Sequence, residues 1–268
     1  MDTKKKCNSK YIFMKQNPFV FCYNGSKRRE VETVYEYLKD KLENVDTIIE
    51  PFCGTSSMSV FIAIKHPLKY KYILNDMNTR MIELYRLMMD KEKFSIFVNE
   101  FNEAVKTISC KENYDILVKK DDFWGWFIGS IIRGIRPNLY VIGYKPKVYN
   151  FDELPVIKFL RTENVSITAT DGTNVLKKYQ DDTNCLLLLD PPYLMSCNSF
   201  YDKECRGEEI YEYCVENCIG NMKAKILFIL EDNWILKFFF KGYITETYDK
   251  KYETKQKKTK HVLISNMK

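Results

Sequence analysis

The chain has 268 residues, is 45% hydrophobic and 29% charged, and carries a formal net charge of +6. That length suits one large domain or one domain with an insertion, and that composition is globular rather than disordered. No apolar stretch reaches the roughly 18 residues of a membrane span, and Met1-Asp2-Thr3-Lys4-Lys5-Lys6 lacks the apolar segment of a secretory leader. An intracellular protein is expected, cytoplasmic or nuclear according to its host, with no membrane partner.

Taken in order, apolar runs of strand length alternate with helical patterns. Thr47-Ile48-Ile49 leads into Glu50-Pro51-Phe52-Cys53-Gly54, and a helix pattern covers Ser56 to Ile64. Tyr72-Ile73-Leu74 ends at Asn75-Asp76, followed by a helix with Met81, Leu84, Tyr85 and Met88 at three-to-four spacing. Residues 91–160 break the rhythm. A charged helical part is followed by Phe123-Trp124-Gly125-Trp126-Phe127, by Ile131 to Asn138, by the strand-like Leu139–Tyr144 and by the basic Lys145-Pro146-Lys147. The alternation then resumes. Val165–Ala169 ends at Asp171-Gly172, Cys185–Leu189 at Asp190, and Ile226–Leu230 at Glu231-Asp232. A helix over Glu208–Ile219 precedes the last of these, and runs over Tyr243–Tyr248 and His261–Ser265 close the set.

Strands alternating with helices predict an α/β fold, a mostly parallel Rossmann-like sheet with helices on both faces. Residues 1–90 and 161–268 would form it, and 91–160 would be an inserted, mainly helical and hairpin region. Strand after strand ends on an acidic residue. In open α/β sheets ligands sit beyond the carboxyl ends of the strands, so these carboxylates should gather around one crevice.

The most informative of these ends is Asp190-Pro191-Pro192-Tyr193. An exocyclic amino nitrogen such as adenine N6 is a poor nucleophile, because its lone pair is delocalised into the ring. The Asp190 carboxylate and the rigid Pro191 carbonyl suit acceptance from such an amino group, and Tyr193 offers a face on which an unstacked base can lie. A plain strand exit would also use prolines, since proline cannot extend the ladder. The turn Glu50–Ser57 brings small residues and a helix N-terminus close to any ligand, without a phosphate-cradle lysine or a full dinucleotide glycine pattern. Asp76, 22 residues beyond Gly54, can accept from two ribose hydroxyls or cap the following helix.

Cysteine and histidine point to no further chemistry. Nine cysteines lack paired metal-ligand spacing, and Cys53 and Cys185 read as core residues. Cys205, Cys214 and Cys218 could supply part of a zinc site, but His66 and His261, the two histidines, are distant in sequence. No metal is expected. The basic stretches, Lys27-Arg28-Arg29 among them, suit a phosphate-bearing partner as readily as solubility. Trp124 and Trp126 read as core before stacking platform, and Lys255, Lys257, Lys258 and Lys260 face solvent or phosphate.

The motifs together resemble the DNA adenine methylase family of S-adenosylmethionine-dependent N6-adenine methyltransferases, in its alpha motif order. The residues that carry the likeness are Tyr23-Asn24-Gly25-Ser26-Lys27, Glu50-Pro51-Phe52-Cys53-Gly54, Asn75-Asp76-Met77-Asn78, Thr170-Asp171-Gly172, Asp190–Tyr193 and the closing Lys258–Asn266, across nearly the whole chain. The resemblance implies S-adenosylmethionine as cofactor, bound by Tyr23, Lys27, Phe52, Gly54, Asp76, Asp171 and Asp190. It implies catalysis by Asp190, Pro191, Pro192 and Tyr193 on a flipped-out adenine of double-stranded DNA. Arg133, Arg136, Asn138 and Lys145 are the candidate nucleic-acid contacts. Two departures stand out: Ser56 replaces a second glycine of the donor turn, and Ile132–Asn138 only loosely follows the family's recognition stretch. RNA as the methyl acceptor, or a binding module that no longer methylates, are the alternatives. A cognate nuclease would be a separate chain, and the sequence is silent on oligomeric state.

Overall fold

The computed structural model describes residues 19–21, 23, 25–118, 122–133, 148–193, 208–251 and 258–267, with backbone alone at Arg133, Lys251 and Lys258. Their described residues form two compact units. One comprises Glu30–Cys53, Lys65–Asn78 and Asn164–Lys268, the other Met1–Arg29, Gly54–Ile64 and Thr79–Glu163.

The first unit holds the sheet. Its strands are β1 (Thr47–Glu50), β2 (Lys71–Asn75), β3 (Val165–Thr168), β4 (Cys185–Leu189), β5 (Lys225–Glu231), β6 (Ile244–Lys251) and β7 (Lys258–Ser265). They lie in the order β3-β2-β1-β4-β5-β7-β6. Strands β1 to β5 pair parallel, and β7 runs antiparallel to both β5 and β6. This is the mostly parallel, Rossmann-like sheet expected from the alternation of elements. Ile49, Leu187, Leu189, Ile226 and Phe228 share one core cluster with Val175, Leu176, Ile210 and Tyr211 from the helices Gly172–Tyr179 and Glu208–Glu216. Their strand neighbours Ile48, Leu186, Leu188, Leu227 and Ile229, which face the other way, are buried too. A parallel sheet covered on both faces demands such unbroken apolar strands, and β4 with Cys185-Leu186-Leu187-Leu188-Leu189 satisfies that demand.

Strand order reverses between β1 and β4. The chain steps outward from β1 through β2 to β3, then restarts at β4 on the other side. Such a switch point opens a crevice at the carboxyl ends of the two central strands. One buried side chain fixes the near half of that edge. The Asn75 amide nitrogen donates to Pro51 O at 2.9 Å and to Thr170 O at 2.8 Å. Its oxygen accepts from Thr168 Oγ1, Thr170 N and Thr170 Oγ1. Its backbone carbonyl accepts from Cys53 N at 2.8 Å. The exits of β1, β2 and β3 are thus tied through a single amide.

The second unit is helical in its described residues. Helices cover Ser57–Lys65, Thr79–Met89, Lys91–Lys106, Lys111–Val118, Phe123–Arg133 and Pro155–Leu160, the first reaching one residue past the unit. Its core is aromatic. Phe97 packs on Trp124 at 5.0 Å and on Phe127 at 4.8 Å, and Trp126 meets Phe21 at 5.5 Å, all edge to face. The two tryptophans therefore belong to the packing of this unit. Asn102 completes it by pairing with backbone as a strand would: its amide nitrogen donates to Tyr149 O at 2.9 Å and its oxygen accepts from Tyr149 N at 2.8 Å.

Several elements differ from the sequence reading. The helix expected to reach Ile219 stops at Glu216, because Cys218 takes a left-handed conformation (φ 48°) and a 3-10 turn follows over Ile219–Asn221. β6 and β7 extend further than their apolar runs, pairing Asp249 with Lys260 and Lys250 with Thr259; charged residues on an outer hairpin hid that extension. The strand-like Leu139–Tyr144 lies outside the described residues.

Asn75→Ala leaves several inward-facing backbone groups without partners at once, and a loss of about 3 kcal/mol or more is expected in urea denaturation. Asn102→Ala removes one reciprocal pair and is expected to cost about 2 kcal/mol in the same measurement. A smaller loss for Asn75 than for Asn102 would contradict the structural weight given to the strand-end amide.

Candidate active site

The sheet unit presents four strand exits side by side. At the end of β1, Glu50 is buried and Phe52 half-buried. A Cβ on Gly172 would lie 2.4 Å from Phe52 Cζ, so the ring rests directly on bare backbone there and any larger residue would displace it. At the end of β2, Asp76 is half-exposed and its Oδ1 accepts from Asn78 N at 2.9 Å. After β3, Asp171 caps the helix Gly172–Tyr179, its Oδ1 accepting from Thr173 N at 2.7 Å and Asn174 N at 3.3 Å. One Asp171 oxygen is thus committed to its own helix, while Asp76 engages the turn that leads into the helix Thr79–Met89.

Beyond β4 comes Asp190, half-exposed, then buried Pro191 and half-buried Pro192 and Tyr193. Two side chains hold this tetrapeptide. Tyr211 donates its hydroxyl to Pro192 O at 3.2 Å, and its ring stacks on Phe228 of β5 at 5.5 Å. The Tyr193 ring stands edge to face with the imidazole of His261, centroids 5.5 Å apart and planes at 85°. Sequence reasoning missed both Tyr211 and His261. Tyr211 sits on a helix whose apolar face is its evident role. His261 opens an apolar run and read as a distant, idle histidine.

The other unit carries the remaining candidates for the methyl donor. Gly54 is left-handed (φ 46°), and a Cβ there would touch the Tyr23 ring at 3.5 Å. Gly54 O accepts from the Tyr85 hydroxyl, whose oxygen also lies 3.1 Å from Ser56 Oγ. Ser56 is itself left-handed (φ 49°), a conformation that costs a non-glycine residue roughly 1–2 kcal/mol. This is the position where the family resemblance called for glycine; serine keeps the same turn and gains the tyrosine as a partner. Lys27 is buried and donates to Gly25 O at 3.1 Å. Ser26 Oγ meets Thr55 Oγ1 at 3.0 Å and Ser57 Oγ at 3.2 Å, and Thr55 and Ser57 meet at 2.8 Å. Hydroxyls thus join the Tyr23–Lys27 motif to the donor turn within this unit.

Of the expected nucleic-acid contacts, Arg133 ends the helix Phe123–Arg133 with its side chain undescribed. Arg136, Asn138 and Lys145 lie outside the described residues. Among the described residues no three His, Cys, Asp or Glu side chains gather to hold a metal ion. Burial pushes the Cys214 thiol up to about 12. A hydrogen bond with Tyr243 holds the Cys218 thiol below its usual range, with backbone amides adding to the effect. Among the described residues no helix is long and apolar enough to cross a membrane.

Comparison with known proteins agrees with the motifs. Residues 23–124 match the model of the D12 class of N6 adenine-specific DNA methyltransferases. Over 261 residues the chain is 22% identical to the type II methyltransferase M.CviBI of Paramecium bursaria Chlorella virus NC1A, covering 91% of this chain and 97% of that protein. Two solved structures align with lower similarity. One, from Listeria monocytogenes and assigned as a class I S-adenosylmethionine-dependent methyltransferase, has a TM-score of 0.40 at 12% identity over 93% of this chain and 62% of its own. The other, from Haemophilus influenzae and assigned as a methylase, has a TM-score of 0.33 at 15% identity over 89% of this chain and 88% of its own. In its motif order from Tyr23 to Tyr193, and in the match over residues 23–124, this chain is similar to the D12 class of N6 adenine-specific DNA methyltransferases.

Proposed function

We propose that the protein transfers the methyl group of S-adenosylmethionine to N6 of an adenine turned out of duplex DNA. One observation carries the reading: Asp190-Pro191-Pro192-Tyr193 leaves the sheet at the end of β4, beside the exit of β1, where the strand order reverses. A ligand at a switch point meets the ends of both strands.

The residues present suit the methyl donor. Asp76 stands half-exposed at the end of β2, one oxygen engaged by its own turn, and can accept from ribose hydroxyls. Phe52 is fixed against Gly172 as an apolar surface. In the other unit, Gly54 offers bare left-handed backbone next to Tyr23, where a ligand can approach closely. Lys27 is the cation for a carboxylate, and Asp171 and Asp190 complete the binding set. When bound, S-adenosylmethionine supplies a sulfonium-activated methyl group.

The rest is done by the protein. The Asp190 carboxylate and the Pro191 carbonyl accept from the N6 hydrogens, which raises electron density on that nitrogen and sets its direction. Tyr193 offers the plane on which the base lies. The tetrapeptide is rigid because of its prolines and because Tyr211 holds the Pro192 carbonyl. Acceptors fixed in advance need no reorganisation as charge develops. Arg133, Arg136, Asn138 and Lys145 complete the proposal as DNA contacts, through phosphate or base edges. Residues 91–160 would form the target-recognition region, next to a catalytic domain of 1–90 and 161–268. An intracellular location and a cognate nuclease on a separate chain fit the same reading.

Labelled S-adenosylmethionine incubated with duplex DNA is expected to give N6-methyladenine, and Asp190→Ala to reduce the rate by about a hundredfold or more. Structured RNA, tested in parallel, should stay unlabelled; label in RNA alone would move the substrate, and DNA binding with no label in either would mark a binding module. Asp76→Ala should weaken donor binding by about tenfold, equal to about 1.4 kcal/mol, when titrated by calorimetry. An unchanged donor affinity would remove Asp76 from the ribose site.

A further inference from the structure

A buried charged cluster in the sheet unit has no part in the chemistry described above. Glu30, immediately before the helix Val31–Leu38, is 4% exposed, Lys250 of β6 is 8% exposed and His261 of β7 is fully buried. Lys250 Nζ lies 2.8 Å from Glu30 Oε1 as an ion pair, and Oε2 accepts from the Tyr248 hydroxyl at 2.7 Å. The same Oε2 also lies 2.8 Å from His261 Nδ1. Three side chains from two strands therefore converge on one carboxylate.

The cluster is expensive as a means of stability. Removing a carboxylate and an ammonium from water carries a penalty of several kcal/mol for each ion, and a well-packed apolar group of similar volume often does as well or better. What such a cluster does supply is a fixed geometry. Glu30 is fixed through its backbone, since its carbonyl accepts from Val34 N at 3.0 Å in the first turn of the helix. His261 is fixed through the ladder, directly opposite Glu231 of β5 and Tyr248 of β6. The carboxylate then sets the rotation of the imidazole.

The imidazole in turn faces the catalytic motif. Its ring and that of Tyr193 meet edge to face at 5.5 Å and 85°, and the Tyr248 ring meets the imidazole from elsewhere at 5.7 Å. An aromatic pair of this geometry is attractive beyond burial and holds the rings at a set angle. Tyr193 follows a proline pair and precedes residues outside the described set, so His261 is a principal described support of its ring.

We propose that Glu30 and His261 are positioning residues for Tyr193: the carboxylate orients the imidazole, and the imidazole holds the tyrosine ring as a prepared plane for the extruded base. The inference rests on the adenine-methylating reading. Neither residue touches the methyl donor or the amino group. Their effect falls on the turnover of bound base and not on donor binding.

The test is methyl transfer from labelled S-adenosylmethionine to unmethylated genomic duplex DNA, giving kcat and KM for DNA. Donor affinity from calorimetry and a thermal melt are recorded for each protein. His261→Ala removes the supporting ring and is expected to lower kcat at least tenfold, with donor affinity within twofold of the parent. His261→Phe restores a ring while leaving Glu30 paired to Lys250 and Tyr248, and is expected to return kcat to within threefold of the parent. Glu30→Gln keeps the shape and an acceptor but withdraws the charge, and is expected to fall between the two. This variant and His261→Phe decide the matter if His261→Ala does not fold. A His261→Phe as slow as His261→Ala, a kcat unchanged across the set, or donor affinity falling in step with kcat would overturn the positioning role. A parent protein that transfers no label to DNA would overturn the proposed function, and this inference with it, before any variant is compared.

Discussion

The amide of Asn75 is the constraint on which the donor half of the active edge depends. A parallel sheet aligns its strands but leaves their carboxyl ends as loops, each with backbone groups that the ladder no longer satisfies. Here one buried side chain supplies both kinds of partner, donating to the exits of β1 and β3 while accepting from β3. A carboxylate at this position would confront two carbonyl oxygens, and an apolar residue would leave them bare. An amide alone has two donors and an acceptor in one plane. The consequence reaches the next residue. Asp76 leaves a β2 terminus that cannot drift relative to Phe52 and Asp171, so the groups proposed to bind the donor keep their spacing without a ligand to organise them.

The half proposed to be catalytic is held in a different way. Pro191 and Pro192 fix φ at two positions, which leaves their carbonyl orientations, the Asp190 side chain and the Tyr193 ring to be set by neighbours. Tyr211 acts on the Pro192 carbonyl, from a helix buried against β5. His261 acts on the Tyr193 ring, from an antiparallel strand. β7 runs against its neighbours, so it brings its early residues to the edge where β4 and β5 end: His261 lies opposite Glu231, the last residue of β5. A parallel strand in that place would present its late residues there. The reversal therefore decides which side chain packs on Tyr193, the ring proposed to stack on the base.

Much of this was legible in the sequence, and the part that was not has a common cause. Strand positions followed from apolar runs, because strands covered on both faces cannot interrupt them; Cys185–Leu189 appears in the structure as read. The acidic strand ends and the proline pair followed from chemistry confined to a few consecutive residues. What stayed hidden depends on contacts across long stretches of chain. Glu30 meets His261 and Lys250 across more than two hundred residues, and no local pattern distinguishes its carboxylate from a solvated one. Lys250 sits in a lysine-rich stretch that reads as surface, yet it is buried. The β6–β7 hairpin was shortened in the reading for the same reason. Asn75 reads as the neighbour of Asp76 or as a helix cap, since nothing in its own segment reveals that three strand ends need an amide.

Ser56 shows how such context also revises a family expectation. A left-handed residue at the donor turn favours glycine on local grounds, and serine there carries a strain of roughly 1–2 kcal/mol. The strain is offset by what the side chain reaches: its hydroxyl meets Tyr85, whose own hydroxyl closes on Gly54 O. Glycine would relax the backbone and lose that contact, so the exchange comes near to neutral in stability while differing in rigidity. A turn held through a tyrosine resists rearrangement where a turn of two glycines flexes. In this chain the turn proposed to meet the donor is stiffened by side chains and Asp190–Tyr193 by prolines and aromatic neighbours, and both arrangements place the ordering of the proposed site in folding instead of in ligand binding.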